Sequence, residues 1–109
     1  MLAVVSPAKK LDFETPAPEM PVSQPVFLDD AVELVQVAQK KTRRDLMNLM
    51  HISEDLAELN VQRFAHFSTP FTRDNAKPAV YAFRGDTYVG LDADNLTSDD
   101  LDWAGDHFR

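Results

Sequence analysis

Hydrophobic spacing changes its period along this chain, and each change marks a predicted change of element. Met1 to Val5 is apolar and β-branched at its end, the pattern of a short buried strand, which Pro7 stops by removing a backbone donor and fixing φ. The run from Thr15 to Pro25, TPAPEMPVSQP, has neither a helical nor a two-residue period and is expected to be an extended surface connector. Proline is then absent from Val26 to Thr69, and helical spacing takes over. Leu28, Val32, Val35 and Ala38 predict a helix over about 29–41, with Asp30 and Glu33 as a capping-box start. Thr42 caps a short second helix with a stripe of Leu46, Leu49 and Met50. Ser53, followed by Glu54 and Asp55, opens a third whose apolar face takes in Leu56, Leu59 or Asn60, the stem of Arg63 and Phe64, with Phe67 at its end. The second and third helices therefore meet at His51–Ile52 as an αα-hairpin.

Beyond the hairpin, Thr69-Pro70 is a break, and Thr72 to Lys77 reads as a loop or a single turn. Ala79-Val80-Tyr81-Ala82-Phe83 is short, aromatic and β-branched, which makes it the second strand candidate, and Arg84-Gly85-Asp86 turns the chain. Periodicity leaves Thr87 to Leu91 open between a returning strand and a turn of helix. Ser98, with Asp99 and Asp100 in the first turn, opens a last helix with Leu101, Ala104, Gly105 and Phe108 on one face. The expected fold is mixed α/β of α+β type, with short strands and about four helices. Two strands without pairing partners, and a last helix that reaches Arg109 with no stop signal, predict that residues 1–109 are the N-terminal portion of a larger single domain.

Charge adds an asymmetry to this picture. Residues 1–85 hold eleven acids and ten bases, whereas residues 86–109 hold seven acids and one base, so the net charge of −7 is concentrated near the C-terminus. Such a balance argues against a wholly basic nucleic-acid coat but permits a local basic patch. Lys40, Lys41, Arg43 and Arg44 fall within five positions, a density that attracts phosphate if all point the same way and is otherwise a solvated helix end. The absence of cysteine excludes disulfide scaffolds, zinc-cysteine modules and iron–sulfur sites. Apolar runs are too short to span a bilayer, and the N-terminus lacks the order of a secretory signal, so a cytoplasmic protein without a membrane partner is expected.

Three motifs carry candidate chemistry. Ser6-Pro7-Ala8-Lys9 follows the first predicted strand, where Ser6, Lys9 and Lys10 would offer an anion site; it also fits Ser-x-x-Lys, in which a lysine one helical turn away activates a serine. The alternative is that Ser6 and Pro7 merely cap a strand end. Phe83-Arg84-Gly85-Asp86-Thr87-Tyr88 places a cation and a carboxylate at the end of an apolar strand, so Arg84, Asp86 and Tyr88 are pocket candidates; equally, Asp86 bonds its own backbone and Arg84 pairs nearby. The helix pair at His51–Ile52 offers a helix N-terminus to a phosphate, but it has no glycine at its turn, and Glu54 and Asp55 occupy the first turn, so a purely structural hairpin competes with that reading. His51, His66 and His107 are scattered and Asp92-x-Asp94 lacks further ligands, so neither a metal site nor a cofactor is expected.

Three ordered blocks, Ser6 to Asp12, Leu49 to Phe64 and Ala82 to Leu91, resemble in sequence and spacing the peroxide-stress response protein YaaA family. The resemblance covers essentially the whole chain. Family members are more than twice as long, which agrees with the N-terminal-portion reading. It implies a cytosolic bacterial protein that lowers free iron during hydrogen-peroxide stress and binds DNA through a helix–hairpin–helix-like element and a basic cleft, on a mixed α/β fold of its own type. On this basis the leading expectation is a DNA-binding stress protein using Lys40, Lys41, Arg43, Arg44 and Arg63. An enzyme or small-anion binder built on Ser6, Lys9, Lys10, Arg84, Asp86 and Tyr88 is the alternative, with direct iron chelation ranked last. The resemblance transfers no catalytic reaction to these residues, and the sequence sets no oligomeric state.

Overall fold

The computed structural model describes Met1–Arg109, and it is helical. Six helices are formed, α1 Leu28–Ala38, α2 Arg43–Met50, α3 Glu54–Ala65, α4 Ala79–Ala82, α5 Asp86–Leu91 and α6 Ser98–His107, with a 3-10 turn at Ala93–Asn95. None is long and apolar enough to cross a membrane. The chain divides into two compact units, Ser23–Asn75 and the pair of segments Met1–Val22 and Ala76–Arg109.

This corrects the expected α/β fold, because the strands of the prediction do not assemble into a sheet. Backbone pairing is confined to two isolated bridges, Ala3 with Phe108 in parallel and Leu11 with Phe83 antiparallel. The Met1–Val5 segment has β-forming composition, yet it meets only the three terminal residues, through Ala3 N to His107 O at 2.6 Å, Arg109 N to Ala3 O at 2.8 Å and Val5 N to Arg109 O at 2.7 Å. A ladder needs several consecutive partners, and Pro7 ends this one immediately. The second strand candidate is a single helical turn: Pro78 carbonyl accepts from both Tyr81 and Ala82 N–H at 3.0 Å, so local bonds consume the donors a strand would offer sideways. Thr87 to Leu91, left open by its periodicity, falls within the helix Asp86–Leu91.

Within Ser23–Asn75 the hairpin follows from local signals. Thr42 is extended and closes a reciprocal box with Asp45, its hydroxyl accepting from Asp45 N–H at 3.2 Å while Asp45 Oδ2 accepts from Thr42 N–H at 2.9 Å. Ser53 Oγ accepts from Leu56 N–H at 3.3 Å at the start of α3. Between them His51 turns the chain in the left-handed region, φ 53°. Leu46 and Ala57, 2% and 0% exposed, are the packed centre where α2 meets α3. The first helix departs from expectation at both ends. It starts at Leu28 with Phe27 in the cap position and no side-chain cap, so the Asp30–Glu33 box is not used, and Asp29 and Asp30 instead face the positive end of the helix dipole. It stops at Ala38 because the chain must extend at Thr42, leaving Lys40 and Lys41 in the turn.

The other unit is assembled from segments far apart in sequence. Its buried residues are Tyr81, Ala82, Tyr88 and Ala93. The Tyr88 ring packs between Phe83 and Phe108, with centroids at 5.0 and 6.2 Å. Thr97, one residue before the predicted start, caps α6 by a second reciprocal box with Asp100.

Candidate functional site

The candidate residues divide between the two units, and each group is organised by its own unit. The segment Ser6–Asp12 lies against Ala82–Tyr88. Arg84 N–H donates to the Lys10 carbonyl at 3.0 Å and Asp12 N–H to the Ala82 carbonyl at 2.8 Å. Tyr88 hydroxyl donates to the Ser6 carbonyl at 3.3 Å. A Cβ added at Gly85 would stand 3.2 Å from Ala8 Cβ, so this approach leaves room for little more than hydrogen.

Asp12 ties the junction together. Its Oδ1 accepts from Glu14 and Thr15 N–H, both at 3.0 Å. On the other side, Oδ2 faces Arg84 Nε at 3.5 Å and Lys77 Nζ at 3.8 Å, and Lys77 Nζ also donates to the Asp12 carbonyl at 2.8 Å. The bonds from the Thr15 backbone and hydroxyl, then the Glu14 N–H and the Lys77 charge, hold the Asp12 carboxyl far below its ordinary range, against an opposing desolvation. Arg84 is shared with Asp94, whose Oδ2 lies 3.9 Å from Nη1. Its charge is therefore already answered by two carboxylates. Tyr88 is buried and serves packing, whereas Ser6, Lys9, Lys10 and Asp86 reach solvent. Ser6 to Lys9 is not helical, so Lys9 does not stand one helical turn above the Ser6 hydroxyl as Ser-x-x-Lys activation requires.

Sequence reasoning passed over Asp12 and Lys77 as site residues. Asp12 stood within the first resembling block, but an aspartate before an apolar residue has no signature of its own. Nothing local to Lys77 marks it, although its side chain is only 8% exposed.

In the hairpin unit, Lys40, Lys41 and Arg44 are exposed around the α1–α2 corner. Arg43 behaves differently. Its Nη1 lies 3.1 Å from Glu54 Oε1 and 3.9 Å from Glu58 Oε2, so it links α2 to the start of α3 through an exposed ion pair. Arg63 lies in the last turn of α3, more than a turn beyond the residues that face Arg43. Two of the three histidines make local bonds. His66 and His107 each place Nδ1 against the carbonyl four residues earlier, at 2.7 and 2.8 Å, and His107 stacks on Trp103 with centroids 4.0 Å apart.

Comparison with known proteins adds the family. A family model described as "Peroxide stress protein YaaA" matches residues 1–109. Similar proteins include UPF0246 proteins of Alteromonas mediterranea, 52% identical over 109 residues, Burkholderia lata, 51%, and Aromatoleum aromaticum, 50%. In each comparison the whole of this chain is matched, and it spans 42% of the relative's length. With the match running from the first residue to the last and half of the positions identical, the chain belongs to the peroxide stress protein YaaA family.

Proposed function

We propose that this chain contributes a phosphate-facing surface to a peroxide-stress protein that protects DNA and limits free iron, and that the surface is the exposed cationic corner of Lys40, Lys41 and Arg44. The supporting observation lies within the basic cluster: Arg43 is ion-paired with Glu54 across the hairpin, while Lys40, Lys41 and Arg44 are exposed around the same corner. A corner of three exposed cations recognises the backbone of a duplex by counterion release, without base readout, so it acts on DNA of any sequence. Protection of DNA by such a surface needs no iron ligand on this chain. The test is anisotropy of a labelled duplex with rising salt. Three phosphate contacts give a slope of log K against log salt of about −2.7; no binding at low salt, or a slope near zero, rejects the reading.

A second reading rests on the convergence of Ser6–Asp12 with Ala82–Tyr88. In this reading Lys9 and Lys10, exposed beside that junction, take a small anion. Titration with inorganic phosphate and a nucleotide, followed by chemical shifts of Lys9, Lys10 and Gly85, distinguishes it. Shifts confined to those residues support a small-anion pocket, and unchanged spectra at millimolar ligand dismiss it.

A further inference from the structure

Between the ends of α1 and α3 the hairpin unit leaves a hollow of about 350 Å³, lined by Ala38, Gln39, Lys41, Val61 and Ala65. Its origin is local. Ala38 is the last residue of α1 and Ala65 the last of α3, so side chains of one carbon border the hollow from both helix ends, and Val61 forms its wall one turn earlier. Gln39 crosses to α3, its Nε2 donating to the Phe64 carbonyl at 2.8 Å, and Oε1 takes no part in that bond. The chain then turns tightly, Lys40 N–H donating to the Val37 carbonyl at 3.2 Å and Lys41 N–H to the Ala38 carbonyl at 3.0 Å, which returns Lys41 to the rim. A second hollow of about 210 Å³ shares Gln39 but is otherwise walled by uncharged residues, Val32, Val35 and Phe67 among them.

Only the first hollow therefore joins three features, an aliphatic wall, an amide edge and a cation that also belongs to the Lys40–Lys41–Arg44 corner. One nucleotide unit has the matching chemistry. An unstacked base fits a slot with apolar walls and a polar group at its edge, while its phosphate seeks a cation. The volume stands near the lower end of the roughly 300–1,000 Å³ typical of small-ligand pockets, enough for one base. Bases within an intact duplex are stacked and paired, so only an unpaired one enters without that bonding being broken. Charge makes such a contact consequential. Three cations work against a chain of net charge −7, and an apolar slot adds affinity that does not depend on that balance.

We propose, building on the phosphate-facing reading of the Lys40–Lys41–Arg44 corner, that the slot between Ala38, Val61 and Ala65 takes an unpaired DNA base. The substrate class is thereby DNA that contains unpaired nucleotides, held by Lys41 at the phosphate and by the slot at the base, in preference to perfect duplex.

The test is anisotropy with two labelled DNAs of one sequence, a perfect duplex and the same duplex with a short single-stranded gap. The gapped DNA is expected to bind at least about 10-fold tighter at equal salt, the scale of one base held against a side-chain surface. Ala65→Leu and Ala38→Leu, made singly, fill the slot from opposite helices without altering any charge. Each is expected to equalise the two affinities while duplex binding and its salt slope stay as they were, and circular dichroism verifies the helices. Independently of any substitution, the Val61 methyl resonances should shift with gapped DNA and not with duplex. Equal affinity of the unaltered chain for both DNAs overturns the proposal and leaves the cationic corner standing. Binding of neither at low salt removes both. A preference that survives both substitutions, or Val61 methyls unmoved by gapped DNA, puts the base elsewhere and overturns the proposal as well.

Discussion

The two units of this chain reach stability by opposite routes. In Ser23–Asn75, α2 and α3 are fixed by partners three residues apart, Thr42 with Asp45 and Ser53 with Leu56, and close on one leucine and one alanine. In Met1–Val22 with Ala76–Arg109, the ordering contacts join residues 65 to 82 positions apart, Lys77 to Asp12 and Tyr88 to Ser6, and the terminal bridge is longer still. Local bonds incur little loop-closure entropy, whereas the second unit must order a long intervening chain before any contact is returned. Surface assembled locally is therefore expected to survive perturbation that dissolves the long-range junction.

The single tryptophan makes the contrast measurable, because Trp103 lies in α6 of the long-range unit. The largest effect is expected from Tyr88→Ala, which removes a buried ring from between Phe83 and Phe108. A loss of about 3–5 kcal/mol is anticipated. It should appear as an early urea transition in Trp103 fluorescence while much of the helical circular dichroism persists. Simultaneous loss of both signals would show that the two routes are not separate. Next is Leu46→Ala, at about 2–4 kcal/mol for a fully buried leucine, with the reverse signature of helicity lost before the Trp103 signal.

A smaller effect sharpens the role of local bonds. Thr42→Ala removes one half of the capping box and should destabilise the hairpin by about 1 kcal/mol in urea titration followed at 222 nm. His51→Gly acts in the opposite direction, relieving a left-handed φ of 53° for a gain of up to about 1 kcal/mol, reduced by the added freedom of glycine in the unfolded chain. A loss on that substitution would mean that the His51 side chain holds the turn.

Acid distinguishes the units by residue. Asp12, Asp45 and Asp100 are all held below the ordinary carboxyl value of 3.8, chiefly by hydrogen bonds from Thr15, Thr42 and Thr97 respectively. A carboxyl depressed in the folded state binds fewer protons there than when unfolded. Its stabilisation is complete above the unfolded value and is lost as pH falls through the folded one. Stability should thus decline below about pH 4. Asp12→Asn should flatten that decline in Trp103 fluorescence, and Asp45→Asn should flatten it in the hairpin signal only.

How much of this was visible in the sequence follows the same division. The hairpin, its Thr42 and Ser53 caps and the basic cluster could be inferred, because each signal and its response lie within one or two helical turns. The ion pairing of Arg43 could not, since its partners Glu54 and Glu58 are reached only across the hairpin. In the other unit, composition favoured strands at Met1–Val5 and Ala79–Phe83, but whether a β-prone segment becomes a sheet depends on neighbours that local spacing does not specify. Asp12 escaped notice for the same reason. Its importance arises from Lys77 and Arg84, and both are remote in sequence.

The functional claim is that the locally built unit, rather than the long-range junction, faces the phosphate backbone. It is tested most directly by comparing two charge-neutralised variants in duplex anisotropy across salt. Replacing Lys40, Lys41 and Arg44 with Gln should abolish measurable binding or reduce the salt slope by about 2.7, while replacing Lys9 and Lys10 with Gln leaves slope and affinity unchanged. The opposite pattern, with binding lost on removing Lys9 and Lys10 and retained without the hairpin cations, would contradict the account.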